Sequence, residues 1–238
     1  MFAQQEPINY KYKHFEVLSS DSLLTIEDTR TNVIDTLFMD VDKTYYFTEN
    51  GEEVSKNKME KLKSTDPQQY NEIIASNHLY VNKENTQLLS IVGPYISYTN
   101  EFYNEGGAHP SYGIYYYSYN METKKTVHLT DFFSPEALFA AFIKNEFILK
   151  YVKVEEVSNL TQLLNSFSEN AGCDYSLNLS SFSFGAIQHQ RINVYIGVAY
   201  DCEVARGNFE LVSIQLDIPD SLKVFLESSS NAGLLDVD

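Results

Sequence analysis

Residues 105–112, with the sequence EGGAHPSY, lie near the middle of the 238-residue chain and constrain how it folds. Gly106 and Gly107 reach positive φ at little cost, and Pro110 fixes its own φ and pushes His109 into an extended conformation. The backbone therefore has to turn here and leave the turn straight. Extended, aromatic-rich sequence lies on both sides, so the segment predicts the connection of an antiparallel hairpin.

The predicted hairpin has a tyrosine-rich face. Its first strand is predicted over 95–103, after a break at Gly93-Pro94, and its second over 113–119, which contains the run YYY. Cross-strand tyrosine pairs contribute about 0.2–1 kcal/mol each. Such a face either packs half-buried with its hydroxyls at the solvent edge, or forms a stacking platform for a sugar or a partner protein.

The candidate functional residues cluster around this turn. His109 has two interpretations, a ring hydrogen bond that locks the turn or a role in binding or acid–base chemistry, oriented by Glu105 and Tyr112. The candidate binding residues are Glu105, His109, Tyr112, Tyr115 and Tyr117, and the residues assigned to the turn itself are Gly106, Gly107 and Pro110.

The remaining sequence alternates between β-rich stretches and a few helices. Helices are predicted over 52–63, 66–76, 134–152 and 158–169, with a short one after Ile218-Pro219, and strands over 8–18, 175–184, 191–200 and 209–216. Because the helices cluster between runs of antiparallel strands, the predicted fold class is α+β, a mainly antiparallel sheet with helices packed on one face.

The predicted domain organisation has two halves within one compact unit. The predicted segments are an export-signal remnant or disordered start at 1–7, an N-terminal β-rich half at 8–110, a C-terminal half at 111–226 and a frayed tail at 227–238.

The charge of the chain restricts its partners. With 33 acidic and 17 basic side chains, the net charge is −16. This charge argues against nucleic acid and anionic membrane surfaces, and it favours either simple solubility or a cationic partner. No apolar run approaches the ~20 residues that span a bilayer, so no membrane insertion is expected of this sequence.

The start of the chain and the cysteines bear on its compartment. Residues 1–7, MFAQQEP, resemble what remains around a signal-peptidase site, so export to the periplasm or the extracellular space is expected. Cys173 and Cys202 then either form a disulfide, which would stabilise the fold by about 3–4 kcal/mol, or remain two buried thiols.

No catalytic, metal or cofactor motif is evident. The five histidines lack ligand spacing, and a calcium-loop-like start at Asp40 fails at Tyr45, where glycine is needed, and at Gly51, where the closing glutamate is needed. Acidic pairs such as Glu155-Glu156 are expected by chance in so acidic a chain. We therefore predict no catalytic residues, no metal and no cofactor.

Several segments together resemble a known family. They are GGAHP at 106–110, the aromatic strand after it, NMETKKTVHLTDFF at 120–133, VAYDCEVARG at 198–207 and Ile218-Pro219. This arrangement is similar to the paired domains of unknown function in RsiV-type anti-sigma factors and PdaC-type peptidoglycan deacetylases. The resemblance covers most of 8–226 and is most specific around 105–133. Lys124 stands where the family has a turn glycine, so we expect the turn to differ locally.

The resemblance implies an α+β fold, a location outside the cytoplasm and a noncatalytic binding or sensing role in a bacterial cell envelope. The implied ligand is a cell-wall glycan or a cationic protein such as lysozyme. Neither deacetylase nor anti-sigma activity is expected of these residues. The alternative is an envelope hydrolase or deacetylase-like enzyme with its site near His109.

Overall fold

The computed structural model describes residues 8–20, 23–39, 42–47, 53–75, 79–105, 111–171, 176–199 and 211–228. Within these residues the strands form three antiparallel sheets. Sheet 1 contains β1 (Ile8–Tyr12), β2 (Phe15–Ser20), β3 (Leu23–Asp28) and β4 (Val33–Met39) in that order. Sheet 2 contains β5 (Asp42–Phe47), β6 (Glu53–Val54), β7 (Leu79–Val92), β8 (Tyr95–Glu105), β9 (Ser111–Asn120) and β10 (Lys125–Thr126), in the order β10-β9-β8-β7-β5-β6. Sheet 3 contains β11 (Ser176–Gln188), β12 (Arg191–Ala199) and β13 (Leu211–Asp217) in that order.

Six α-helices accompany the sheets in the described part of the chain. They are α1 (Lys56–Thr65), α2 (Pro67–Ala75), α3 (Pro135–Phe142), α4 (Glu146–Leu149), α5 (Leu160–Ala171) and α6 (Asp220–Ser228). The antiparallel sheets and these helices confirm the predicted α+β class. Sheet 2 runs through both predicted halves, because β8 and β9 pair with each other along their length.

The helix starts follow the capping residues seen in the sequence. Asp66 accepts a hydrogen bond from the Gln69 backbone at 3.1 Å, and Pro67 occupies the first position of α2. Ser134 accepts one from the Ala137 backbone at 3.2 Å at the start of α3. These two predicted starts are confirmed, because each cap satisfies a backbone donor that the helix itself leaves free.

The long helix predicted over 134–152 is wrong. The structure divides it into α3 and α4, with Asn145 between them as the cap of α4. The Asn145 amide also donates to the backbone oxygen of Ser213 at 2.8 Å, which ties the interruption to sheet 3. The apolar residues keep a helical spacing on both sides of the break, so their pattern alone predicts one continuous helix.

The single strand predicted over 8–18 is also wrong. The chain turns back at Lys13 and His14, where Lys13 has φ 53°, and β1 pairs with β2 as a hairpin. A left-handed lysine is uncommon, and its sequence carries no glycine or asparagine to indicate the turn. The Lys13 ammonium lies 2.6 Å from the Glu122 carboxylate, which connects this turn to the loop after β9.

Two large apolar cores hold the sheets and helices together. One lies between sheet 3 and α3–α6, and its largest fully buried side chains include Phe142, Phe167, Phe182 and Phe184. The other lies between sheet 1 and one face of sheet 2, with Ile91 and Ile96 at its centre. A smaller cluster packs α1 and α2 against the β5–β6 end of sheet 2.

The turn between β7 and β8 confirms the predicted break at Gly93-Pro94. Gly93 has φ 55°, which favours glycine, and a Cβ there would lie far inside van der Waals contact distance of the Phe225 ring of α6. Phe225 also contacts Tyr95 edge-on, with ring centroids 6.1 Å apart. The glycine therefore allows α6 to cover this end of sheet 2.

Sheet 3 meets sheet 2 through small hydroxyl side chains. The Ser118 hydroxyl donates to the backbone oxygen of Phe182, and Ser97 lies 3.2 Å from Ser118 as its donor. Further along β11, the Phe184 N–H donates to the Ser90 hydroxyl at 3.2 Å. All three serines are buried. Serine lets the β11 backbone approach sheet 2 closely and pairs polar groups that would otherwise be buried without partners.

Candidate ligand-binding face

The β8–β9 hairpin creates the candidate site. Its register places Tyr98 opposite Tyr117 and Phe102 opposite Gly113. Side chains alternate between the two faces of a strand, so Tyr98, Phe102, Tyr115 and Tyr117 share one face of sheet 2. We call these four residues the aromatic face. It continues the sheet surface whose other end is covered by sheet 1.

The four rings stack in two cross-strand pairs. Tyr98 and Tyr117 have ring centroids 5.2 Å apart with planes inclined by 23°, and Phe102 and Tyr115 have centroids 5.2 Å apart and inclined by 18°. Phe102 stacks on its diagonal neighbour because Gly113, directly opposite, offers no side chain. Each pair is worth about 0.5–1.5 kcal/mol beyond its buried area.

The outer tyrosines remain accessible. Tyr115 is 50% exposed and Tyr117 is 39% exposed, although each has one ring face covered by its partner in β8. Within the described residues, β10 pairs only with Asn120 and Tyr119, so no strand pairs with the outer side of β9 from Ser111 to Ser118. The uncovered ring faces of Tyr115 and Tyr117 are therefore directed away from β8, toward this edge.

Burial raises the pKa of two phenols on this face, Tyr98 and Tyr117. It raises the pKa of Tyr98 to about 12, with a smaller effect from the neighbouring Tyr117 and Tyr119 hydroxyls. Burial likewise raises the pKa of Tyr117. At neutral pH both of these phenols carry their proton, so each can donate and accept a hydrogen bond.

Two polar side chains lie among the rings. Asn100, opposite Tyr115 in the register, donates from Nδ2 to Glu84 Oε2 at 3.3 Å. Its Oδ1 is buried and has no hydrogen-bond partner among the described residues. A buried acceptor without a hydrogen-bond partner lowers the stability of the fold by about 1–3 kcal/mol. A ligand that donated a hydrogen bond to Asn100 Oδ1 would remove this cost.

The turn after β9 anchors the far end of this face. Lys124 adopts φ 56°, the left-handed conformation that usually favours glycine. Its N–H donates to the Asn120 carbonyl at 2.8 Å, and its ammonium lies 2.7 Å from the Asp35 carboxylate of sheet 1. Hydrogen bonding to Asp35 raises the pKa of Lys124. The residue thus closes the turn and connects sheet 2 to sheet 1.

The predicted site residues divide between the described and undescribed parts of the chain. Tyr115 and Tyr117 lie together on the aromatic face. Glu105 ends β8 and Tyr112 lies in β9, but their side chains are outside the described part. Also outside the described residues are Gly106, Gly107, His109, Pro110, Cys173 and Cys202.

Four residues of this site were not predicted from the sequence, namely Glu84, Tyr98, Asn100 and Phe102. The sequence contained a signal for the two aromatic ones, Tyr98 and Phe102. Folding the predicted hairpin symmetrically about Gly107 and Ala108 places Tyr98 opposite Tyr117, so the aromatic partners follow from the turn position. Glu84 comes from β7, and nothing in the local sequence indicates its contact with Asn100.

No protein-family model, curated protein or solved structure matches this chain. None of the helices in the described ranges is both long and apolar enough to span a membrane. Among the same residues, no group of three or more His, Cys, Asp and Glu side chains is arranged to hold a metal ion.

Proposed function

We propose that this protein is a noncatalytic binding or sensing module of a bacterial cell envelope, acting outside the cytoplasm, and that its aromatic face binds a cell-wall glycan. The observation that carries the proposal is the pair of half-exposed tyrosines, Tyr115 and Tyr117, held rigid by stacking on β8. Rings fixed by cross-strand partners lose little conformational entropy when a ligand binds.

The chemistry of the face suits a sugar. The C–H surface of a pyranose packs against an aromatic ring, and the ring hydroxyls of the sugar need donors and acceptors at its rim. The outward ring faces of Tyr115 and Tyr117 provide the first requirement, and their phenol hydroxyls provide the second. Asn100 Oδ1 is an acceptor that a sugar hydroxyl entering between the two ring pairs would satisfy.

A cationic protein such as lysozyme is the second candidate ligand. The net charge of −16 favours it, because an acidic surface accelerates encounter with a basic partner. The salt dependence of binding distinguishes the two candidate ligands. Binding of an uncharged glycan by stacking changes little with ionic strength, whereas binding of a basic protein weakens as salt screens the charges.

Isothermal titration calorimetry against uncharged N-acetylglucosamine oligomers, peptidoglycan fragments and lysozyme, each at low and high salt, tests both ligands. Heat with the sugars at both salt concentrations supports the glycan. Binding heat with lysozyme but not with the sugars, and its loss at high salt, would show that the ligand is a cationic protein and not a glycan. No binding to any of the three would refute both ligands.

The enzyme alternative remains a prediction from sequence. It centres on His109, which lies outside the described residues, so the described geometry contributes nothing to it. A His109→Ala variant that folds normally and loses a measured hydrolysis or deacetylation of peptidoglycan would favour the enzyme. A variant with unchanged ligand binding and lower thermal stability would favour a role in locking the turn.

A further inference from the structure

A second surface lies along β13 in sheet 3. Within the described residues β13 pairs only with β12, so it is an edge strand of sheet 3. The α3–α4 segment runs beside this edge, and between them lies an open groove of about 610 Å³. Its apolar lining includes Ala141, Phe147, Leu211 and Ile214.

The backbone of β13 presents donors to this groove. Asn145 donates to the Ser213 carbonyl at 2.8 Å from the helical side, so Ser213 directs its backbone groups away from β12. Alternation along an antiparallel strand gives Gln215 the same direction. The Gln215 carbonyl accepts from Arg191 Nη2 at 2.6 Å. The N–H groups of Ser213 and Gln215 have no partner among the described residues.

The groove is basic although the chain is acidic. Lys144, Lys150 and Arg191 line it, against the single carboxylate of Glu146. Neither lysine forms an ion pair within the described part of the chain. Arg191 Nε lies 3.3 Å from the 95% exposed carboxylate of Asp217, without the alignment of a hydrogen bond. Because Asp217 is almost fully exposed, this contact contributes little, and part of the 42% exposed Arg191 side chain remains available to an anion.

We propose that the groove between α3–α4 and β13 binds an extended acidic peptide segment of a partner protein, which adds a strand to sheet 3. The free N–H groups of Ser213 and Gln215 bond its carbonyls, and its own N–H groups take the places of Asn145 and Arg191 at the Ser213 and Gln215 carbonyls, as in strand addition at a sheet edge. Alternate apolar side chains of the peptide pack on Phe147 and Leu211. Its carboxylates meet Lys144, Lys150 and Arg191. This surface is separate from the aromatic face and does not depend on the glycan.

Charge complementarity identifies this occupant. A second copy of the chain would bring two basic grooves together, which repel each other. A basic peptide would be repelled in the same way. An anionic peptide gains from all three cations and satisfies the backbone donors at the same time.

The test uses capped octapeptides that alternate valine with glutamate or with lysine, titrated into the ¹⁵N-labelled full chain. The glutamate peptide is expected to slow hydrogen exchange at Ser213 and Gln215, and the lysine peptide to have no effect. The Lys144→Glu/Lys150→Glu variant should weaken binding by about tenfold or more. The same charge change at the exposed α1 positions, Lys58→Glu/Lys61→Glu, should leave it unchanged.

Strand addition is tested separately from charge attraction. Ser213→Pro removes one edge donor without changing charge, and proline is tolerated at sheet edges, so this variant should lose binding while its spectrum stays folded. N-methylation of alternate peptide bonds on one side of the glutamate peptide tests the same point without altering the protein. Equal binding of both peptides, binding unaffected by the lysine reversals, or a concentration-dependent dimer that Ser213→Pro disrupts would overturn the proposal.

Discussion

The Tyr116 ring of β9 lies directly against Gly197 of β12, so that a Cβ on Gly197 would lie inside contact distance of the ring. This contact joins sheet 2 to sheet 3, and Tyr116 is largely buried there, which raises its pKa. Gly197→Ala is expected to destabilise the fold by about 1–3 kcal/mol, because the added methyl group would overlap the partly buried Tyr116 ring. Urea denaturation followed by circular dichroism measures the change.

A double-mutant cycle with Tyr116→Ala isolates this contact. Once the ring is gone, the added methyl group at Gly197 has room, so the second substitution should cost much less in the Tyr116→Ala background. Equal costs in both backgrounds would show that Gly197 matters for another reason.

Removal of the Ser90 hydroxyl is expected to lower the stability of the fold, although the side chain is small. Its hydroxyl is the partner of the buried Phe184 N–H, so Ser90→Ala leaves that donor unpaired and should destabilise the protein by about 1–3 kcal/mol. Ser221→Ala, at an exposed position of α6, is the matched control and should stay within about 0.5 kcal/mol. Comparable unfolding midpoints for the two variants would contradict the role of the Ser90 hydrogen bond.

Local rules predicted much of the fold. The caps at Asp66 and Ser134, the break at Gly93-Pro94 and the strand predicted over 191–200 each depend on a few neighbouring residues, so the sequence shows them directly. The division into three sheets was not predictable in this way. It depends on contacts between β11 and buried serines of sheet 2, which are remote from β11 in sequence. Because serine is polar, these buried positions do not appear in the pattern of hydrophobic residues.

The site was predictable where hairpin symmetry determines it. The tyrosine-rich strand and the turn position indicate Tyr115 and Tyr117, and the register supplies Tyr98. The β13 groove had no sequence signal, because its cations come from α3–α4 and β12 and meet only when sheet 3 packs on the helices. Asn145, which breaks the predicted helix, is also what connects that groove to the edge strand.

Asp28 should make folding sensitive to acid. Hydrogen bonds from Arg30 lower the pKa of its carboxyl from the usual 3.8 to about 2, and His14 faces the same carboxyl at 3.9 Å. The folded pKa is below the unfolded one, so this stabilisation is fully present above about pH 3.8 and is lost as the pH falls toward 2. Arg30→Ala should raise the pKa of Asp28 in an NMR titration. An unchanged value would show that the pair is not formed in solution.

Tyr98 should make folding sensitive to alkali. Burial raises its pKa from 10.0 to about 12, so the unfolded chain releases this proton at lower pH than the folded one. The contribution of Tyr98 to the free energy of unfolding is therefore fully present below about pH 10 and decreases between pH 10 and 12. Tyr98→Phe should flatten part of that decline when unfolding is measured across this range. Retention of the full decline would assign it to the other buried tyrosines.

The most direct test of the glycan site is the glycan affinity of the Tyr115→Ala/Tyr117→Ala variant, measured by calorimetry with uncharged N-acetylglucosamine oligomers and peptidoglycan fragments. Loss of stacking on the two outward rings should abolish binding while the fold is retained. Tyr103→Ala is the control, because Tyr103 is 36% exposed in the same hairpin and points to the other face of sheet 2. Binding that survives the double substitution, or is lost equally in Tyr103→Ala, would contradict a glycan site on the aromatic face.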